Sequence, residues 1–218
     1  MQFKDRFHAG RLLAPKLAAY RNLKDVIILA LPRGGVAVGY EVAIGLQAPL
    51  DVLVVRKVGL PGYSEMAVGA LASGGIENIP GNTAQRFQVS AEDLQNVVTK
   101  ERQELARQEQ LFRNGRPFPV VQDQMVILVD DGLATGHTMK AAILAVRNRS
   151  PKEIVVAVPV GAEDTCQLLA ADVNHLICLF TPSDFIAVGA YYQDFGQIDD
   201  DEVIRLLKIA KERKRSWE

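Results

Sequence analysis

The 218-residue sequence has few cysteines, almost no net charge and no long apolar run. Cys166 and Cys178 are too far apart along the chain to form a metal-binding motif, so we expect two reduced core thiols. With 25 basic and 26 acidic side chains, the net charge of -1 gives no general attraction to nucleic acids, so any phosphate site must be local. Charges interrupt the N-terminal segment and no window is apolar enough for a membrane span. We therefore expect a cytoplasmic protein without membrane partners.

Five short apolar runs rich in β-branched residues predict buried β-strands. They are segments 26–31, 51–56, 125–129, 153–158 and 175–179. Helical spacing between them predicts crossover helices, which include segments at about 138–148 and 162–171. Strands that are apolar on both faces are typical of parallel sheets. The predicted fold class is therefore α/β, with a mostly parallel twisted sheet, flanking helices and right-handed connections.

Three segments do not fit this alternation. The glycine-rich segment 58–75 has weak periodicity and predicts a long mobile loop. Segment 90–113 joins a capping serine to one apolar stripe, which predicts a long amphipathic helix inserted at the edge of the core. Segment 181–196 is rich in aromatic residues and precedes a C-terminal helix. We predict a single domain over 1–218, with a core at about 23–180, a small hood at about 1–22 and 181–218, and a helical insertion at about 85–115.

The run from Val126 to Thr138 carries the most specific chemistry. A buried strand delivers two adjacent carboxylates, Asp130 and Asp131, to its carboxyl end, where open α/β sheets bind ligands. The small residues that follow let backbone amides approach a bound group, and the start of a helix favours an anion there. Carboxylates would repel a phosphate, so we expect them to accept hydrogen bonds from sugar hydroxyls while a metal ion moderates the field. A phosphate beside a cis-diol suggests a ribose 5-phosphate.

The order strand, Asp-Asp-x-x-Ala-Thr-Gly-x-Thr resembles the signature of the type I phosphoribosyltransferases. The resemblance implies a Mg²⁺-dependent pentosyltransferase that moves the ribose 5-phosphate of 5-phosphoribosyl 1-pyrophosphate (PRPP) to a nucleobase and releases pyrophosphate. It implies that Asp130 and Asp131 are catalytic and hold the ribose hydroxyls. The residues that would wrap the 5-phosphate are Leu133, Ala134, Thr135, Gly136, His137 and Thr138. Many members have glycine at His137, which we interpret as a solvent-facing residue, with a ligand role as the alternative.

A second loop, Pro32-Arg33-Gly34-Gly35, is similar to the pyrophosphate loop of this family, where a non-proline peptide is often cis. It follows the first strand, and we expect it across the sheet from the phosphate loop, with Arg33 as a catalytic cation. The resemblance further implies that Arg56 and Lys57 contact the pyrophosphate. Segment 58–75 then looks like the family's closing loop. Its expected polar tip is Tyr63, Ser64 and Glu65.

Segment 182–195 is similar in layout to the hood of purine-salvage members. Phe185 is expected to stack on the base, with Tyr192 beside it. Asp194 is expected to join Asp130 and Asp131 at the metal, which would bind mainly through PRPP. Asp184 stands where purine-salvage members have a lysine, so the acceptor stays open. The alternative for the aromatic residues is that they only cover the end of the sheet.

Two other functions compete with catalysis of ribosyl transfer. A regulatory protein could keep the fold as a sensor of PRPP or nucleotides, and a continuous basic patch away from the cleft would favour it. A hydrolase using the acidic pair as nucleophile and acid is the weaker alternative, because it requires another carboxylate spacing and no pyrophosphate loop. The long helix at 90–113 is a candidate dimerisation element, so a homodimer is one expected assembly.

Overall fold

A computed structural model describes residues 2–214, without the side chains of Ser64, Glu65 and Lys214. The first of two compact units comprises the described residues up to Leu53 and from Pro119 onward, and the second comprises Val54–Phe118. The strands are β1 (Val26–Ala30), β2 (Leu50–Val52), β3 (Val55–Leu60), β4 (Tyr63–Ala72), β5 (Ile76–Asn78), β6 (Met125–Val129), β7 (Glu153–Val160) and β8 (His175–Phe180). The α-helices are α1 (Arg6–Leu13), α2 (Gly34–Leu46), α3 (Thr83–Phe87), α4 (Ala91–Arg113), α5 (His137–Arg147), α6 (Glu163–Ala170) and α7 (Asp200–Lys214).

The first unit is built on a parallel sheet in the order β2-β1-β6-β7-β8. β1 and β6 are neighbours in register, so that Ala30 lies opposite Val129 where both strands end. Every residue of these two strands is buried. This burial follows from their apolar character on both faces, which is stable only when helices cover the sheet on both sides. The predicted α/β fold class is confirmed.

Helices cover the sheet of the first unit. α2 packs on β1, and α1 packs on α2. The core between them includes Leu13, Val42, Ile127 and Val155. Helices predicted at about 138–148 and 162–171 are present as α5 and α6, and the predicted C-terminal helix is present as α7. No helix in the described part of the chain is both long and apolar enough to cross a membrane.

The second unit combines an antiparallel sheet, β3-β4-β5, with the long helix α4. Ser90 caps α4, because its side chain accepts hydrogen bonds from the amides of Glu92 and Asp93. α4 packs against β3 and β4, with Val98, Leu105 and Phe112 buried. The amphipathic helix predicted at 90–113 is therefore confirmed.

Two sequence predictions about this region are wrong. The run 51–56 is not one strand, because it divides between β2 of the parallel sheet and β3 of the antiparallel sheet. Segment 58–75 is not a long loop, because β3 and β4 form a hairpin with an irregular register near Gly59. Gly62 lies in the turn with φ of 82°, a backbone conformation that glycine adopts without strain. The expected insertion at 85–115 therefore corresponds to a larger unit that begins at Val54.

Candidate functional site

The two loops singled out in the sequence meet at the carboxyl edge of the parallel sheet. β1 leads into the loop of Pro32 and Arg33, and its neighbour β6 leads into Asp130 and Asp131. The amide of Leu31 donates a 2.9 Å hydrogen bond to the carbonyl of Val129, which holds the two strand ends together. The loops are therefore side by side, whereas we expected them across the sheet from each other.

Glycine allows the loop after β1 to touch the acidic pair. A Cβ atom on Gly34 would overlap Asp131 Oδ2 and lie 2.9 Å from Arg6 Nε. A Cβ atom on Gly35 would lie 3.0 Å from Asp130 Oδ1 and 2.8 Å from the carbonyl oxygen of Val129. The Pro32–Arg33 peptide is cis, as the resemblance implied. Residues 34 and 35 thus have no room for a side chain.

The two carboxylates have different partners. Asp130 Oδ1 accepts a 2.8 Å hydrogen bond from the backbone amide of Asp131. Burial, followed by repulsion from Asp131, raises the pKa of Asp130 well above its ordinary value. Burial also raises the pKa of Asp131, and the hydrogen bond from Arg6 opposes this rise. Each carboxylate thus holds its negative charge at an energetic cost, which a cation or hydroxyl donors at the site would reduce.

Arg6 is the main site residue that sequence reasoning missed. Its Nε donates a 2.7 Å hydrogen bond to Asp131 Oδ2, and its Nη1 donates a 2.7 Å bond to the carbonyl of Gly196. The guanidinium carbon also lies 3.8 Å from the centre of the Phe195 ring. No motif signals this role, because Arg6 is the first residue of α1 and is far from Asp131 in sequence. The sequence predicted only that segment 1–22, which contains Arg6, contributes to the hood.

The predicted phosphate loop joins β6 to α5. Two hydrogen bonds fix this loop to neighbouring elements. The amide of Leu133 donates to the carbonyl of Val160 at the end of β7, and Thr165 Oγ1 of α6 donates to the carbonyl of Ala134. Gly136 caps α5 with φ of 71°. Over the part of the chain that the structure describes, the amides of Ala134, Thr135 and Gly136 donate to no protein acceptor. The loop therefore presents free donors at a helix N-terminus, which is the usual arrangement of an anion site.

His137 and Thr138 begin α5. His137 is exposed, and its Nδ1 lies 2.9 Å from Thr135 Oγ1. This contact links the imidazole to the loop rim but leaves the ring in solvent, which agrees with the interpretation of His137 as a solvent-facing residue. Thr138 is half-buried. A ligand role for either side chain stays a prediction.

The predicted cations lie in different units. Arg33 precedes Gly34, and its side chain, 45% exposed, has Nη1 3.9 Å from Asp200 Oδ1 at the start of α7. Arg56 and Lys57 lie on β3 of the second unit. Arg56 is paired with Glu101 of α4 at 2.7 Å, and Lys57 is exposed. The role of Arg56 and Lys57 at a pyrophosphate stays a prediction, and so does a closing role for Tyr63. The side chains of Ser64 and Glu65 lie outside the described part of the chain.

The two parts of the predicted hood contact each other, because segment 182–195 pairs with the residues that precede α1. Phe3 pairs with Tyr192 in a parallel bridge, and the amide of Asp194 donates to the carbonyl of Lys4. Phe185 stacks on Tyr191, with ring centres 5.7 Å apart. Phe185 keeps partial exposure, so a base contact stays a prediction for it.

For Tyr192 the structure corrects the predicted base contact. The side chain is 4% exposed, and its hydroxyl donates a 2.6 Å hydrogen bond to the backbone carbonyl of Asp131. Tyr192 therefore supports the backbone of Asp131, and almost none of its surface is open to a base. The alternative interpretation, in which the aromatic residues cover the end of the sheet, therefore applies to Tyr192.

The donor set fits a magnesium ion that is bound largely through its substrate. Carboxylate oxygens of Asp130 and Asp131 are the type of ligand that Mg²⁺ prefers, and Mg²⁺ commonly uses one or two carboxylates together with substrate phosphates. Among residues 2–214, no three His, Cys, Asp or Glu side chains form a group that could hold a metal. Asp194 is therefore not grouped with Asp130 and Asp131 in this part of the chain, and its role at a metal stays a prediction. It is exposed and accepts a 2.8 Å hydrogen bond from the amide of Gly196.

The two cysteines are free, as expected, but they are not separate in space. A Cβ atom on Gly161 would lie 2.6 Å from Cys166 Sγ and 3.5 Å from Cys178 Sγ, so both thiols border the same backbone position. Cys166 is buried and Cys178 is partly buried. Their position beside Gly161 makes them neighbours in the fold, although they are 12 positions apart in the sequence.

The fold and the site define an α/β protein that carries an acidic pair and an anion-type loop at the carboxyl edge of a parallel sheet. The sequence pattern of the phosphoribosyl transferase domain matches residues 4–193. This chain belongs to the phosphoribosyl transferase family.

Individual relatives agree with this assignment. A Mycobacterium tuberculosis protein named "Putative phosphoribosyl transferase Rv0571c" is 42% identical over 208 residues, covering 95% of this chain and 47% of that protein. The protein of strain CDC 1551 that is named MT0597 has the same identity and coverage. The crystal structure of TT1426 from Thermus thermophilus is 41% identical, with a TM-score of 0.82, and the match covers 95% of this chain and 98% of that one. The chain thus spans about half the length of the curated relatives it matches.

Proposed function

We propose that the protein transfers the ribose 5-phosphate of PRPP to the nitrogen of a nucleobase-like acceptor and releases pyrophosphate. The observation that carries the proposal is the contact between the Gly34 loop and the Asp131 carboxylate. The loop that we propose for the pyrophosphate, the acidic pair that we propose for the ribose hydroxyls and the loop that we propose for the 5-phosphate all lie at one sheet edge. PRPP carries these three groups on one sugar, and the family assignment supports this donor.

Each group of PRPP would bind to a different part of the site. The amides from Ala134 to Gly136 would donate to the 5-phosphate, aided by the dipole of α5. Asp130 and Asp131 would accept hydrogen bonds from the 2- and 3-hydroxyls of the ribose. Arg33 and the amides of Gly34 and Gly35 would hold the pyrophosphate. Each group of PRPP then has its own partner in the first unit.

The chemistry requires no protein nucleophile. The bond from C1 to the pyrophosphate oxygen breaks, the acceptor nitrogen forms the new bond to C1, and the nitrogen loses a proton. Arg33 and the loop amides stabilise the negative charge on the leaving pyrophosphate, while the acidic pair stabilises the positive charge that develops on the ribose. When bound, Mg²⁺ would supply positive charge to the pyrophosphate oxygens, with Asp130 and Asp131 as its protein ligands.

The acceptor is proposed only as a class. A partly exposed Phe185 near the sheet edge suits a flat aromatic base. Purine salvage is the pathway type that the hood layout favours. Asp184 is exposed in the same segment and would favour an acceptor that presents a hydrogen-bond donor to it.

The test is release of pyrophosphate from PRPP and Mg²⁺ in the presence of a panel of nucleobases. We expect release with one base, and its loss in Asp130→Asn and Arg33→Ala. Arg11→Ala is the matched control, because Arg11 is 54% exposed and pairs with Glu41 away from the site. Tight PRPP binding without turnover on any base would instead indicate a sensor that kept the fold, and no PRPP binding at all would contradict the proposal.

A further inference from the structure

The side chain of Arg6 belongs to a closed ring of contacts around Asp131. Arg6 donates to the Asp131 carboxylate, and Tyr192 donates to the Asp131 backbone carbonyl. The Phe195 ring contacts both of these side chains. Its centre lies 3.8 Å from the Arg6 guanidinium carbon and 5.1 Å from the centre of the Tyr192 ring. Asp131 is thus held at both its side chain and its backbone.

The geometry of Arg6 differs from that of an ordinary surface cation. Its side chain is 9% exposed and that of Asp131 is 16% exposed, so both charges are largely removed from water. Two different nitrogens of the planar guanidinium donate to two different acceptors, Asp131 and Gly196, which fixes its orientation. Arg11 on the same helix is 54% exposed and makes one pair with Glu41.

The loop after β1 lies directly against this pair. A Cβ atom on Gly34 would lie 2.9 Å from Arg6 Nε and 2.7 Å from Asp131 Cγ. A shift of the Asp131 carboxylate towards Gly34 would therefore displace the loop that we propose for the pyrophosphate. A fixed Asp131 therefore keeps a constant distance between the parts of the site that we propose for the ribose and for the pyrophosphate.

We infer that Arg6 is a positioning residue for the sugar donor, which it affects only through Asp131, and that it also fastens the hood segment 195–196 to the site. The inference rests on the proposed function. Two of the three guanidinium nitrogens of Arg6, Nε and Nη1, already donate to protein acceptors, which is the basis for a role through Asp131. Removal of a group that hydrogen-bonds a metal-ligating side chain commonly costs about 10- to 100-fold in metal affinity or activity, and we expect an effect of similar size here.

A double-mutant cycle tests the route through Asp131. We would measure binding of the Mg²⁺ complex of PRPP by calorimetry to wild type, Arg6→Gln, Asp131→Asn and the double variant. We expect Arg6→Gln to weaken binding about 10- to 100-fold and the double variant to bind no more weakly than Asp131→Asn. Arg6→Lys keeps a cationic donor and should recover part of the affinity, whereas Arg11→Gln should bind like wild type.

Hydrogen exchange of the ligand-free protein tests the same inference without any sugar. We expect Arg6→Gln to speed amide exchange in segments 131–133 and 193–198, with no change in Arg11→Gln. This measurement decides the inference if Asp131→Asn binds too weakly to measure, or if wild type binds no PRPP and the proposed function fails.

Two results would overturn the role of Arg6. One is a penalty for Arg6→Gln that persists undiminished in the Asp131→Asn background, since Arg6 would then act by another route. The other is exchange in segments 131–133 and 193–198 that matches wild type in Arg6→Gln, since neither Asp131 nor the hood would then depend on this side chain.

Discussion

Asp130 and Asp131 occupy adjacent positions where β6 ends, and their charges repel in a partly buried site. For Asp130, burial is the larger cause of its raised pKa and the neighbouring carboxylate is the second. A carboxyl with a raised pKa in the folded state binds its proton more tightly there than in the unfolded chain. Its contribution to stability is thus present below the ordinary value of 3.8 and is lost as the pH rises through the folded-state pKa.

Asp130→Asn should therefore stabilise the ligand-free protein at neutral pH. Asparagine keeps the shape and can still accept the hydrogen bond from the amide of Asp131, but it carries no charge. Thermal unfolding in chelator-treated buffer should show a higher melting temperature for the variant, by about 2–4 °C for each 1 kcal/mol gained. The difference should shrink as the pH is lowered and wild-type Asp130 becomes protonated. A difference that does not depend on pH would contradict this account.

Tyr192 offers a second test at a single residue. Tyr192→Phe removes the hydroxyl that donates to the partly buried carbonyl of Asp131. We expect the free energy of unfolding to fall by about 1–3 kcal/mol, because a partly buried acceptor loses its partner. Tyr191→Phe is the matched control, since Tyr191 makes a similar 3.0 Å bond to the carbonyl of Asp184 at an exposed position. Urea unfolding of both variants provides the measurement, and equal losses would show that burial of the Asp131 carbonyl does not matter.

Single residues of the site differ in how well the sequence predicts them. Asp130 and Asp131 stand beside a phosphate-loop pattern in one continuous run, so local sequence is enough to find them. Arg6 contacts Asp131 across 125 positions and Tyr192 contacts it across 61, and no periodicity or spacing links such positions. The contacts of Arg6 and Tyr192 with Asp131 therefore could not be predicted from the sequence and are known only from the structure.

The loop between β1 and α2 is the element on which the site depends most closely. In Gly34→Ala the new methyl group would meet the Asp131 carboxylate, which Arg6 holds in place, while Tyr192 holds the Asp131 backbone. We expect PRPP binding to weaken about 100-fold, because displacing a binding group by an ångström has effects of this size.

Gly81→Ala is the matched control for Gly34→Ala. A Cβ atom there would meet nothing within 4 Å, so binding and stability should stay at the wild-type level. Calorimetry gives the affinity, and circular dichroism shows whether each variant is folded. If Gly34→Ala binds PRPP like wild type, the contact between the two loops has no role in donor binding.

The elements of the two units were not equally predictable. Buried parallel strands such as β1 and β6 are continuous apolar runs, and their prediction is confirmed. β3 and β4 carry glycines and small residues, so their alternation is weak and the segment resembles a loop in sequence. Pairing between the strands and packing of α4 on them stabilise this hairpin. Both are tertiary interactions, which local propensity does not contain.

At the scale of the whole molecule, one unit is inserted in the sequence of the other. The first unit holds the acidic pair, the predicted phosphate loop, Arg33 and Arg6, whereas Arg56, Lys57 and the closing-loop candidate Tyr63 lie in the second. The expected homodimer and the role of the long helix α4 in it stay predictions.

Ligand binding should raise the stability of the folded chain by mass action. At a PRPP concentration about 100 times its dissociation constant, with Mg²⁺ present, the gain is about 2.7 kcal/mol, which corresponds to a rise in melting temperature of about 5–10 °C. Differential scanning fluorimetry over a PRPP series measures it. Asp130→Asn should lose the shift although its ligand-free form melts higher than wild type, because the charge that costs stability without ligand is the one that we propose to bind the sugar. If the variant shows the full shift, Asp130 does not bind the donor, and the opposition between stability and binding at this residue is disproved.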